Sequence, residues 1–189
     1  MIGFVSGLIV FGLYALYDFN SVKWKHWLPR RFFLAGTVLL ALATVAQIAC
    51  ALKTTGLQGS SWLFLAAAVL FFVLLIYTLF FALPFEETYI QQNEKPRVYS
   101  GGMYAICRHP GVIWFFLFYL CLGLAIRPSG LLRVGLFYSL LDLLYVVLQD
   151  LWTFPKTFAD YEDYKKLAPF LVPTPASVKR AFQTRKNKK

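Results

Sequence analysis

The stretch Pro110-Gly-Val-Ile-Trp-Phe-Phe-Leu-Phe-Tyr-Leu-Cys-Leu-Gly-Leu-Ala-Ile126, then Arg127-Pro-Ser-Gly130, then Leu131-Leu-Arg-Val-Gly-Leu-Phe-Tyr-Ser-Leu-Leu-Asp-Leu-Leu-Tyr-Val-Val-Leu-Gln-Asp-Leu151 decides the fold. Two apolar runs of helical length are joined by four residues that include Pro and Gly. So short a link leaves the second run packed antiparallel to the first. Each run is close to the roughly 20 residues that a membrane-crossing helix needs. The pattern predicts a tight helical hairpin in a bilayer.

Upstream, three further runs carry no charge at all: Met1 to Tyr17, Phe32 to Leu52, and Trp62 to Leu83. The 189 residues are 59% hydrophobic and only 15% charged, whereas soluble domains carry about 25% charged residues. Disorder and an ordinary soluble core are excluded. The expected fold is all-α and integral to the membrane: one domain over 1–173, with about five spans, then a basic tail over 174–189 that is mobile and touches lipid. No Lys or Arg precedes Lys23, so the first run reads as a retained helix and not a secretory signal.

Charge placement sets the expected topology. Lys23, Lys25, Arg30, Arg31, Lys95, Arg97, Arg108 and the cations after the fifth run make sixteen of the nineteen Lys and Arg. Five spans put all sixteen on one face and leave Lys53, Arg127 and Arg133 on the other. By the positive-inside rule the N-terminus is outside and the C-terminus cytoplasmic. The net charge of +10 then answers to anionic lipid headgroups rather than nucleic acid, for which no reading motif is present. Phe154 to Leu167 reads as an interfacial helix, with Pro155 in its first turn and Lys165 and Lys166 in its last. Cys50, Cys107 and Cys121 show no pairing pattern and read as reduced, packed thiols.

Polar residues collect at the cytoplasmic ends of the hairpin. Ser100-Gly-Gly-Met-Tyr-Ala-Ile-Cys-Arg-His-Pro110 precedes it. Gly102 permits close approach or positive φ. Arg108 offers a planar fork for a carboxylate, His109 donates or accepts, and Pro110 opens a helix. The tripeptide alone equally fits a headgroup contact at a helix start. On the second run Asp142, Tyr145, Gln149 and Asp150 fall near one face. A charge inside a span costs roughly 2.5–3.5 kcal/mol on insertion scales, so Asp142 faces a partner or a polar cavity. A carboxyl simply hydrogen-bonded between helices is the other reading. Glu86-Glu87 fits a solvated helix end, and His26 a headgroup contact. No metal-ligand cluster, phosphate loop or nucleophilic triad is present.

Together these features resemble the isoprenylcysteine carboxyl methyltransferase and phospholipid methyltransferase superfamily. The resemblance rests on Gly102, Tyr104, Arg108, His109 and Pro110 before the hairpin. It continues through Asp150 at the hairpin's end, Tyr161 and Tyr164, and Phe170-Leu-Val-Pro173. It covers 99–173. It implies a small helical bundle with a cytoplasmic S-adenosylmethionine pocket and a lipophilic acceptor entering from the bilayer. It assigns Gly102, Tyr104, Arg108, His109, Pro110 and Asp150 to the cofactor, with Arg108 and Asp150 in the catalytic role. Asp142, Tyr145 and Tyr161 are left for substrate. The chain departs from the family pattern at Val112, where Tyr is common, at Ile113 and Trp114, where a small residue is common, and at Asp150, where Glu is usual. Two rivals remain: a membrane reductase using NADPH, and a non-catalytic lipid- or partner-binding scaffold. A transporter fits less well, because no internal repeat is visible.

Overall fold

The computed structural model describes residues 1–55, 61–82, 96–126 and 130–186, and all regular structure among them is helical. Helix α1 (Ile2–Phe19) runs on through a π turn, Asn20–Trp24. A 3-10 turn, Pro29–Arg31, leads into α2 (Phe32–Thr55). Helix α3 (Ser61–Ile76) ends in a second π turn, Tyr77–Phe81. A single turn, α4 (Met103–Ile106), precedes α5 (Pro110–Ala125). Helix α6 (Gly130–Leu148) ends in a third π turn, Gln149–Thr153, continued by α7 (Phe154–Thr157). Helices α8 (Tyr161–Leu167) and α9 (Pro175–Lys186) complete the chain.

Four continuous rods, Ile2–Trp24, Pro29–Thr54, Ser61–Phe81 and Gly130–Thr157, are long and apolar enough to cross a membrane. The remaining apolar helix, α5, has 16 residues. The five expected runs thus correspond to the five long helices, to within a few residues at their ends. Glu86-Glu87, Lys95 and Arg127 lie outside the described residues.

The α5–α6 hairpin closes tightly because Gly sits where a side chain has no room. A Cβ on Gly123 would lie 2.7 Å from the Leu132 Cα, and one on Gly135 would lie 2.8 Å from the Tyr119 Cβ. Small residues give membrane helices this kind of close approach. Around the hairpin, Val10, Phe11 and Tyr14 of α1 pack with Phe115 and Tyr119 of α5 and with Val134, Tyr138 and Tyr145 of α6. At the other end of α5, Leu122 and Ala125 pack with Ala68 of α3 and Ala51 of α2.

Hydroxyl pairs cross the apolar interior: Ser6 with Tyr138 at 2.8 Å, Tyr14 with Thr37 at 3.2 Å, and Thr44 with Tyr119 at 2.5 Å. They link α1 to α6, α1 to α2 and α2 to α5. Each satisfies a group that hydrocarbon cannot solvate.

Two expectations change. The helix expected over 154–167 is broken: Phe158 is extended (φ −102°, ψ 140°), which separates α7 from α8. The break serves a tertiary contact. The Ala159 N–H donates to the Pro96 carbonyl, and the Asp160 carboxylate accepts from the Val98 N–H at 2.8 Å. The tail, in turn, is ordered into a helix over most of its length. Thr174 and Ser177 cap its first turn reciprocally: the Thr174 N–H donates to Ser177 Oγ at 3.0 Å, and the Ser177 N–H donates to Thr174 Oγ1 at 3.1 Å. Pro175 occupies the first helical position, where a missing N–H is harmless.

Candidate functional site

All three π turns lie at one end of the bundle, where α1, α3 and the α6 rod terminate. The polar residues gather there. Gly102 caps α4 with φ +58° and ψ −126°, a conformation open to Gly and strained for other residues. The four-residue helix then delivers Cys107, Arg108 and His109 to the start of α5. Their backbone is held by the C-terminal segment: the Arg108 N–H donates to Pro169 O at 2.8 Å and the His109 N–H to Phe170 O at 3.3 Å.

Asp150, on the third π turn, is the centre of the site. Its Oδ1 accepts from Arg108 Nε at 2.7 Å, from the Tyr161 hydroxyl at 2.6 Å and from His109 Nε2 at 3.2 Å. Its Oδ2 accepts from Arg108 Nη2 at 3.2 Å. Arg108 Nη1 reaches the carbonyls of Lys165 (3.2 Å) and Ala168 (2.6 Å). Two-pronged pairing of this kind fixes direction as well as charge. The His109 ring stands between Phe154 and Phe170, with centroids at 5.9 and 5.1 Å, and the guanidinium lies 5.7 Å from the Phe170 centroid. The Arg108 and Asp150 side chains are only 11% and 8% exposed, so the pair is closed off from water.

The surroundings shift the neighbouring acids. Burial pushes the Tyr161 phenol well above its ordinary range, and the Asp150 carboxylate that it bonds raises it further. Burial likewise raises Tyr164. The Cys107 thiol is pushed up to about 11 by burial, against the lowering effects of the His109 backbone N–H and the Arg108 charge.

The structure therefore brings Arg108, His109, Asp150 and Tyr161 into direct contact. Tyr104 joins one step removed: its carbonyl accepts from the Tyr164 hydroxyl at 2.7 Å and its own hydroxyl donates to Thr78 O at 3.1 Å. Pro110 is buried at the first position of α5. Asp142 and Tyr145 stand elsewhere. Asp142 precedes Asp150 by eight residues, roughly 12 Å along a helix. Among the described residues its side chain makes no hydrogen bond or ion pair, and it interacts electrostatically with Tyr14 and Tyr119. Tyr145 belongs to a second polar cluster. Gln149 Nε2 donates to its hydroxyl at 2.8 Å, and both contact Asp18, which also accepts from Thr153 at 3.3 Å.

The single face expected for Asp142, Tyr145, Gln149 and Asp150 is thus divided. Successive helical residues point about 100° apart, and the π turn lies between Gln149 and Thr153. Asp150 turns to Arg108, while Gln149 and Thr153 turn to Asp18. Sequence reasoning passed over Asp18, which is 3% exposed. The available signal was that it is the only acid before Glu86. Sequence reasoning also missed Phe170 as the ring beneath Arg108 and His109. Two clefts lie apart from the site: one at the opposite end, lined by Gln47, Arg133 and Val134, and one on the α3 surface, lined by Phe72, Ile76 and Phe81.

No family model, curated protein or solved structure matches the chain.

Proposed function

We propose that the chain is a five-span membrane protein, N-terminus outside and C-terminus cytoplasmic, that acts as an S-adenosylmethionine-dependent methyltransferase of the isoprenylcysteine carboxyl methyltransferase and phospholipid methyltransferase type. One observation carries the reading. Arg108-His109, Asp150 and Tyr161, three separate parts of the motif pattern, meet on a single carboxylate at one end of the bundle. The span count draws on the packing of α5. Gly111 approaches Leu75 and Leu79, Trp114 stacks on Phe71, and Leu122 packs with Ala68. Helix α5 therefore runs antiparallel along the length of α3.

The donor set fits a polar cofactor. Arg108 uses four of its five N–H groups and keeps one. Among the described residues, Thr78 Oγ1 and Trp114 Nε1, buried along the α3–α5 contact, have no hydrogen-bond partner. Gly102, Tyr104, Arg108, His109, Pro110 and Asp150 are the residues that would hold the cofactor. Bound there, it supplies a methyl group already activated on a sulfonium, so the chain's task is alignment. Arg108 binds carboxylate, His109 is placed to take or give a proton, and Asp150 fixes both. Tyr161, Tyr145 and Asp142 are assigned to a lipophilic acceptor, a prenylated carboxylate or a lipid-like amine, entering between helices.

The closed packing of Asp150 favours a second reading, a non-catalytic lipid- or partner-binding scaffold in which the same contacts are purely structural. Calorimetric titration of the full chain in detergent separates the two, with S-adenosylhomocysteine as probe and NADPH as control. The methyltransferase reading expects saturable S-adenosylhomocysteine binding that is lost in Arg108→Ala and His109→Ala. Binding of NADPH alone points to a reductase. Binding of neither by folded protein favours the scaffold.

A further inference from the structure

Helix α9 carries four of the tail's six cations on an element whose two sides differ. Its inner side is set by Ser177, 1% exposed, and it packs against α4. Arg180 donates to the Leu167 carbonyl at the end of α8. The helix is thus anchored beside the segment that enters α5 four residues after Ile106. Its outer side presents Val178 and Phe182, one turn apart, and Phe182 is 66% exposed. Val172 and Leu167 extend the same exposed apolar character. Lys179 is exposed next to Val178, and the helical backbone continues through Arg185 and Lys186. From 174 to 189 there are six cations and no acid.

We propose that α9 docks on the anionic headgroups of the leaflet next to the π-turn end of the bundle, with Val178 and Phe182 inserted at the boundary and the cations among the phosphates. Charge complementarity selects this occupant: a basic stretch without an acid meets the one anionic surface that the spans hold permanently beside it. Paired apolar residues flanked by Lys and Arg match an interfacial helix, where apolar groups dip below the headgroups and cations lie level with them. The docking has a consequence for the site. Leu167, whose carbonyl Arg180 holds, lies between Lys165 and Ala168, whose carbonyls hold Arg108. Lipid contact at α9 thereby braces the loop that orients Arg108. The inference stands independently of the methyltransferase reading.

The test places a spin label at position 182 (Phe182→Cys) or, as control, 176 (Ala176→Cys), in a background with Cys50, Cys107 and Cys121 replaced by Ala. The full chain is measured in lipid nanodiscs that contain phosphatidylglycerol or only phosphatidylcholine. In the anionic discs the label at 182 is expected to be relaxed by oxygen and shielded from a water-soluble nickel chelate, while the label at 176 stays open to the chelate. Replacing Lys179 and Arg185 together by Gln lowers the docking equilibrium by roughly thirtyfold at low salt. Equal chelate access at 182 and 176 in the anionic discs overturns the proposal. So does shielding from both relaxants, which means a protein partner or a second copy, and so does equal depth in both disc types. Hydrogen exchange over 175–186 in the unlabelled protein is the second readout: slowing in anionic discs alone supports docking, and identical exchange in the two opposes it.

Discussion

Asp150 shows how much one carboxylate can organise. It joins the end of the α6 rod to the foot of α5 and to α8, and it does so almost out of reach of water. Removing one member of a buried ion pair leaves the other charge unsolvated, at a cost of about 3–5 kcal/mol. Asp150→Asn is therefore expected to lower the thermal midpoint of the detergent-solubilised protein sharply. Combining it with Arg108→Met should recover part of the loss, because no unpaired charge remains. A single-mutant loss no larger than that of an exposed pair, under about 1 kcal/mol, would show that the pair does not hold the fold. Cys107 supplies a pH-dependent counterpart. Its folded thiol is raised to about 11 from an ordinary value of 9.0 by burial. A raised acid holds its proton more tightly when folded, so its contribution is complete below pH 9 and fades as pH climbs through 11. Between pH 8.5 and 11 the wild type is expected to lose more stability than Cys107→Ala, read as the difference in midpoint shift. Parallel curves would remove Cys107 as the cause.

At the scale of elements, what was legible and what was not follow from different physics. The hairpin could be read because two long apolar runs and a four-residue link leave few alternatives. The π turns could not, because the apolar pattern of the preceding helix does not record whether a carbonyl bonds four or five residues on. The division of Gln149 from Asp150 was hidden for that reason. The cap of α9 was present as Thr174-Pro-Ala-Ser177 but was masked by the basic composition around it. Asp18 was passed over, although an acid there needs partners as much as Asp142 does. The close approach of α5 and α6 makes a prediction that contrasts two glycines. Gly123→Leu forces a side chain into the Leu132 backbone and should cost about 1–3 kcal/mol or more through overpacking. Gly12→Ala meets nothing within 4 Å and should stabilise α1 by up to about 1 kcal/mol through helix propensity. Thermal unfolding of both variants in one detergent tests the pair. A destabilised Gly12→Ala would mean that the α1 surface touches something other than lipid.

For the whole molecule, the open question of architecture is α5. Its 16 residues rise about 24 Å, against a hydrocarbon core of about 30 Å. Read by length alone, α5 stops short, and the chain has four spans with both ends on one side. Its neighbours argue otherwise. Packed between α3 and α6, it is lined on two sides by protein, and its contacts with α3 extend from the Leu79 level to the Ala68 level. A helix sheltered in this way needs less apolar length, because its ends meet protein and locally thinned lipid. Its N-terminal end also carries the Arg108–Asp150 pair, which belongs near the headgroups, while Ile126 at the other end is buried against Leu131. Five spans also keep the sixteen cations together on one face. Reporter fusions decide it. With a reporter active only outside, joined after Ser100 or after Gly130, five spans place Ser100 inside and Gly130 outside, so only the second fusion is active. If α5 does not cross, both joints fall on the same side and the two fusions behave alike. In that case Arg108 would not be at the foot of a span, and the shared face that brings the α5 motif to Asp150 would need a different explanation.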